Sequence, residues 1–157
     1  MIVISDTSPL NYLVLTDLVR ILPALFQRVL IPQAVFDELR SPQAPDEVKQ
    51  WIAAAPDWLA VQSVVSASPG LAHLDPGERE VVSLALHLKA DLLLLDEAKG
   101  RQAARAHGFA VAGTLGLLDR AAARGLTDLS AAIERLKRTT FRVSPKVLNS
   151  LKQGSPG

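Results

Sequence analysis

Apolar and polar positions alternate in blocks along the chain, with short β-branched runs followed by stretches of helical period. The run IVIS at 2–5 is closed by Asp6 and the turn formers Thr7, Ser8 and Pro9, which predicts a buried first strand. With Pro9 at the first helical position and Ser8 as its cap, Leu10, Leu13, Val14 and Leu18 fall on one face of a short helix. A second helix is expected near 21–26. Residues 29–31 read as the second strand, and 32–40 as a helix opening at Pro32, with Val35 and Leu39 inward and Glu38 one turn from its end. After a proline-rich loop at 41–45, residues 46–55 read as a helix that buries Trp51 and Ile52. LAVQSVV at 59–65 alternates as a third strand.

Small residues, proline and glycine fill 66–76, so this stretch reads as a loop inside one domain. Asp75 can cap the next helix, whose first turn holds Pro76, Glu78 and Glu80 and which runs to about Lys89. Proline and acids both suit a helix amino terminus. Residues 90–95 form a nearly all-apolar strand that stops at Asp96 and Glu97, the mark of a parallel strand covered on both faces. A helix over 100–106, a fifth strand over 109–111 and a helix over 115–124 follow. Amphipathic helices are expected at about 128–138 and 144–152. No internal repeat emerges. The pattern predicts an α/β chain with a mostly parallel five-stranded sheet and right-handed crossovers, as a single domain over 1–152 with a disordered tail at 153–157.

Composition narrows the chemistry. With 157 residues and 48% apolar content, the chain can bury a core of its own. No run of 18 apolar residues occurs and the amino terminus lacks a charged secretory leader, so a soluble cytoplasmic protein with no membrane segment is expected. The absence of cysteine rules out thiolate ligands and cysteine nucleophiles, and His73, His87 and His107 have no zinc-ligand spacing. Any metal must therefore be held by oxygen. A net charge of +1 says little. Basic residues do cluster late in the chain, at Arg120, Arg124, Arg135, Lys137, Arg138, Arg142 and Lys146, either as a solvated helix face or as a nucleic-acid footprint. Aromatics make up only 4%, and Trp51 and Trp58 read as packing residues, so base stacking is not an evident mode.

Acids stand where strands end. Parallel α/β sheets bind ligands beyond the carboxyl ends of their strands, and Asp6 and Asp96 both occupy that position. A carboxylate directly after an apolar strand is costly unless a cation or proton neutralises it. A hard divalent ion such as Mg²⁺ or Mn²⁺ meets that need. Glu38 and Glu78 stand at corresponding points of the pattern, so four distant stretches converge on one candidate metal site. Glu80 competes with Glu78, and at two residues' remove it points about 200° away round the helix.

The stretches DTSPL at 6–10, IPQAVFDEL at 31–39, GEREVVSLAL at 77–86, LLLLDEAKGRQAA at 92–104 and AGTLGLL at 112–118 resemble the PIN-domain nucleases, and among them the toxin-like branch related to VapC ribonucleases. Asp6, Glu38, Glu78 and Asp96 match the family's acids in order, including the separation of 18 between the last two, although many such toxins carry aspartate where Glu78 stands. The resemblance implies a three-layer α/β/α fold and a metal-dependent endoribonuclease, the toxin of a toxin–antitoxin pair. Asp6 and Asp96 would then ligate metal directly, Glu38 and Glu78 would ligate an ion or hold its waters, and Glu97 would serve a second ion or an outer position. One or two ions fit equally. Thr7 and Ser8 either contact substrate or a metal-bound water, or cap the next helix. Arg101 either reaches a phosphate or pairs with an acid, and Thr114 either touches substrate or only builds its turn. RNA, a cognate antitoxin and a second copy of the chain are the implied partners.

Other readings fit less well. A haloacid-dehalogenase-like phosphatase needs a second aspartate where Ser8 stands, and a receiver domain needs a lysine after the fifth strand, where Gly113 and Thr114 follow. The remaining alternative is a catalytically silent PIN fold that only binds protein or RNA.

Overall fold

The computed structural model describes residues 1–64 and 68–143. Five parallel strands form one sheet in the order β3-β2-β1-β4-β5. They are β1 (Val3–Ser5), β2 (Val29–Pro32), β3 (Leu59–Gln62), β4 (Leu92–Leu94) and β5 (Ala110–Ala112). The sheet is parallel throughout, where the sequence indicated mostly parallel. Val3, Ile4 and Leu92 to Leu94 are all buried. Successive strand side chains point to opposite faces, so both faces of the sheet centre are covered by helices, giving three layers.

Eight helices occur among the described residues: α1 (Thr7–Leu15), α2 (Ile21–Phe26), α3 (Gln33–Leu39), α4 (Asp46–Ala53), α5 (Pro76–Leu88), α6 (Ala98–Ala106), α7 (Thr114–Ala123) and α8 (Leu129–Lys137). The expected helix at 144–152 and the tail lie outside the described residues. No helix among the described residues is long and apolar enough to cross a membrane. Trp51 is half-buried against Trp58, with ring centroids 6.0 Å apart, while Ile52 is fully buried.

One local expectation is corrected. α1 begins at Thr7, with Asp6 as its N-cap, and not at Pro9 behind a Ser8 cap. Pro9 sits at the third helical position, where its missing N–H has no intrahelical partner to lose. Ser8 is thus inside the first turn, and its hydroxyl is used elsewhere.

Chain order reverses beside β1. From β1 the chain builds outward through β2 and β3, then crosses back to lay β4 on the other side of β1 and β5 beyond it. The crevice at this switch between β1 and β4 is where such sheets bind ligands. Asp6 leaves β1 and Asp96 follows β4, and the Asp6 backbone N–H donates to the Leu94 carbonyl at 2.9 Å.

Candidate metal-dependent active site

Four elements deliver carboxylates to the β1–β4 crevice. Asp6 leaves β1, Glu38 stands in the last turn of α3, Glu78 in the first turn of α5, and Asp96 beyond β4. Gly77 lies where two of them meet a third acid: a methyl group there would stand 2.9 Å from Asp6 Oδ1, 3.2 Å from Glu38 Oε2 and 3.6 Å from Asp75 Oδ1. Only a residue without a side chain fits so close to three carboxylate oxygens. Asp75 is a member of the cluster that reading the sequence treated only as a helix cap. It does cap, accepting from the Glu78 backbone N–H at 2.8 Å, and that same bond fixes the start of α5 beside Asp6.

The structure brings Glu78 inward and sends Glu80 away. Glu78 is buried at 5% exposure, and its Oε2 has no hydrogen-bond partner among the described residues. Glu80 accepts from the Ala34 backbone N–H at 3.0 Å, satisfying an amino-terminal group of α3. Glu38 is exposed at the rim and accepts from the Thr7 hydroxyl. Glu97 is exposed at the N-cap of α6, near enough for its charge to act on Glu78.

Asp96 is held rigidly. Its Oδ1 accepts from the Thr114 backbone N–H, and its Oδ2 from the hydroxyls of Ser8 and Thr114, all at 2.7 Å. These contacts supersede the capping role expected of Ser8. They also give Thr114, buried at the start of α7, a definite task in orienting Asp96. Arg101 is half-buried, and its Nη1 donates to the Leu95 carbonyl at 2.9 Å. That nitrogen and Asp96 Oδ1 flank Gly113, each 2.8 Å from where its Cβ would be. Burial lowers the Arg101 pKa, Arg105 lowers it further, and Asp96 counteracts both. Among the described residues the ion pairs are surface pairs such as Arg40–Asp37, and none includes a carboxylate of this cluster.

The cluster is electrostatically strained. Burial raises the Asp6 pKa to about 7 against the pull of its bond to Thr7, and Asp75, Glu38 and Asp96 push in the same direction as burial. Burial likewise raises Glu78 to about 8, aided by Asp75 and then by Asp6 and Glu97. Buried like charges without cationic partners are stable only if a proton or a metal ion neutralises them. Six carboxylates with no nitrogen or sulfur donor match a hard, oxygen-preferring divalent ion. Among the described residues no three of them already surround one point as ligands.

A family model, DUF3368: PIN domain, matches residues 2–155. The chain belongs to the PIN-domain family. PIN domains are generally nucleases that act on nucleic acids with divalent metal ions. This PIN domain shares its fold with a PilT N-terminus domain protein, SSO1118, from the hyperthermophilic archaeon Sulfolobus solfataricus P2. The two are 15% identical, with a TM-score of 0.55 over 92% of this chain and all of the other. No curated protein matches the chain.

Gly100 tests how closely the PIN site is fitted. A Cβ there would stand 2.8 Å from Glu78 Oε2 and 3.3 Å from its Cδ and Cγ, so alanine must displace that carboxylate. Alanine is the better helix former by about 1 kcal/mol, which offsets local strain. Gly100→Ala is therefore expected to melt within a few degrees of the intact protein and, in the nuclease reading proposed below, to lose about tenfold or more in metal-dependent cleavage. A melting curve and a cleavage assay on the same preparation check both halves, and unaltered activity would show that the Glu78 position is not critical.

Proposed function

We propose that this PIN domain is a metal-dependent endoribonuclease of the VapC-like branch, the toxin of a toxin–antitoxin pair. The observation that carries the nuclease part is that Asp6 lies close enough to Glu38, Glu78 and Asp96 for their charges to act on one another, with a Glu78 carboxylate oxygen buried and unpartnered among the described residues. The toxin role, a cognate antitoxin and a homodimer rest on the resemblance of the DTSPL, GEREVVSLAL and LLLLDEAKGRQAA stretches to that branch.

In this reading Asp6 and Asp96 hold Mg²⁺ or Mn²⁺ directly, Glu38 and Glu78 ligate the ion or fix its waters, and Glu97 extends the set. Such an ion, when bound, polarises the phosphodiester, eases deprotonation of water and offsets charge on the leaving oxygen. The protein supplies placement. Ser8 and Thr114 lock Asp96 in one orientation, Thr7 does the same for Glu38, and Arg101 sets a guanidinium beside Asp96 where a non-bridging phosphate oxygen can meet it. No protein nucleophile is required, and the Thr7, Ser8 and Thr114 hydroxyls are engaged with Glu38 and Asp96.

A panel of labelled RNAs, incubated with Mg²⁺, Mn²⁺ or chelator, tests the reading. Cutting is expected only with metal, and Asp96→Asn is expected to remove it, because the amide presents an N–H₂ group where an acceptor is needed. A folded protein that cuts no RNA, and whose melting temperature ignores both metals, would leave a catalytically silent PIN fold as the better account.

A further inference from the structure

The basic residues of the last helices take no part in the site described above, yet two concavities join them to it. One of about 390 Å³ includes Thr7 and Glu38 at the acid cluster and reaches Asn11 and Pro45. The other, about 740 Å³, shares Asn11 and Pro45 and ends against Arg135, Arg138, Thr139 and Thr140. Together they make one trough along α1, from the carboxylates to the end of α8. From Thr7 to Thr16 this helix spans roughly 13 Å at 1.5 Å per residue.

Building on the nuclease reading, we propose that the far end of this trough is a phosphate-binding subsite. It holds the backbone of a single-stranded RNA whose scissile phosphate lies at the acid cluster. Arg135 and Arg138 are exposed cations within one turn of each other. The Thr140 hydroxyl and the amide of Asn11 add donors, the Thr139 hydroxyl being donated to the Leu136 carbonyl at 2.6 Å, and Asp17 is the acid in that wall. The wall is built on fixed contacts. Arg135 Nη1 donates to the Thr16 carbonyl at 3.2 Å. The hydroxyls of Tyr12 and Thr140 share a hydrogen bond of 2.8 Å, and the Tyr12 ring meets Phe141 edge-on with centroids 5.0 Å apart.

Guanidinium, hydroxyl and amide donors are the groups that contact sugar and phosphate. The trough has apolar lining at Leu15, Leu39, Pro45 and Val48 but no aromatic residue, and the two arginines at its far end favour a phosphate backbone over a peptide. The subsite therefore adds affinity without base preference. Its arginines lie about one length of α1 from the cut, so only an RNA that runs on past the cleaved phosphate reaches them.

Fluorescence anisotropy in chelator separates binding from cleavage. Labelled single-stranded RNAs of increasing length are titrated against the intact protein, Arg138→Glu and Arg135→Gln/Arg138→Ala, at several salt concentrations. For the intact protein affinity should rise once the RNA is long enough to span the trough from the acid cluster to the arginines. In both variants that rise should be lost, with affinity for long RNA down tenfold or more. Losing two phosphate contacts should also flatten the double variant's log–log salt dependence by about 1.4. Melting temperatures, and their shift with Mn²⁺, should match those of the intact protein, which a collapsed fold would not allow.

Equal affinity and equal salt slope in the variants would overturn the subsite. So would arginines that are needed for a polyglutamate peptide but not for RNA. If the intact protein cuts nothing, the nuclease reading fails, while the binding series still decides the trough by itself.

Discussion

Asp6→Asn should yield a PIN domain that is more stable than the natural one and inactive. The side chain is buried at the amino terminus of α1, and its raised pKa of about 7 means that the fold resists its charge. At pH 8 the carboxylate is mostly ionised in both folded and unfolded chains, so the folded state bears the full cost of that resistance. Each pKa unit corresponds to about 1.4 kcal/mol, and each kcal/mol to roughly 2–4 °C in a protein of this size.

Asparagine keeps the shape of the side chain and removes the charge. Its melting temperature at pH 8 without metal should therefore be at least about 5 °C higher. Metal-dependent RNA cleavage should fall by about a thousandfold or more, because the lost oxygen belongs to the group that neutralises and positions the ion. Calorimetry at pH 8 and a cleavage time course measure the two effects. A variant that melts lower than the natural protein would mean that Asp6 has a stabilising partner, and the picture of an uncompensated cluster would be wrong. Stability and activity should move in opposite directions, as at other sites whose function requires like charges to be crowded together.

The metal-free protein should lose stability between about pH 4 and pH 8. Asp6 and Glu78 both have folded pKa values raised above their ordinary values of 3.8 and 4.5. Across that window the folded state binds more protons than the unfolded one, so stability falls as pH rises. Their contribution is fully present below about pH 4 and is lost as pH passes through about 7 and 8. Other carboxylates of the chain titrate at the acidic end, so the clean comparison lies between pH 5.5 and pH 8. Over that range the melting temperature should drop by several degrees in chelator.

A divalent ion that binds the deprotonated cluster should reverse this trend. Saturating Mn²⁺ at a hundredfold over its dissociation constant adds about 2.7 kcal/mol. Its effect should be large at pH 8 and small at pH 5.5, where protons occupy the same oxygens. A melting temperature that rises with pH in chelator would show that the cluster already has a cationic partner. Equal metal effects at both pH values would place the ion elsewhere.

Asp6 and Asp96 were legible in the sequence because each interrupts an apolar run at the point where a parallel strand must end. Glu38 and Glu78 were legible through helical period and the resemblance to a family. Asp75 was read as a cap, which it is, but its second role depends on α5 starting beside β1. Nothing local in LDPGERE says that. Glu78 and Glu80 could be set apart by angle but not assigned, until packing turned one toward Asp6 and the other toward Ala34. Ser8 shows the limit of local rules. Serine before proline suggests a cap, whereas here the helix starts earlier and the hydroxyl is spent on Asp96, 88 residues away.

By itself, the sequence determined the alternation of strands and helices, a mostly parallel sheet, a chain without thiolate ligands, and acids placed where strands end. Burial and helical period act over a few residues and so leave a readable trace. Tertiary structure alone decided the strand order that puts β4 beside β1 and the clamp of Ser8 and Thr114 on Asp96. It also decided the glycines that make room for carboxylates and the trough that joins the acids to Arg135 and Arg138. Each of these is a contact between residues distant in the chain, whose energy depends on distances that no local pattern encodes.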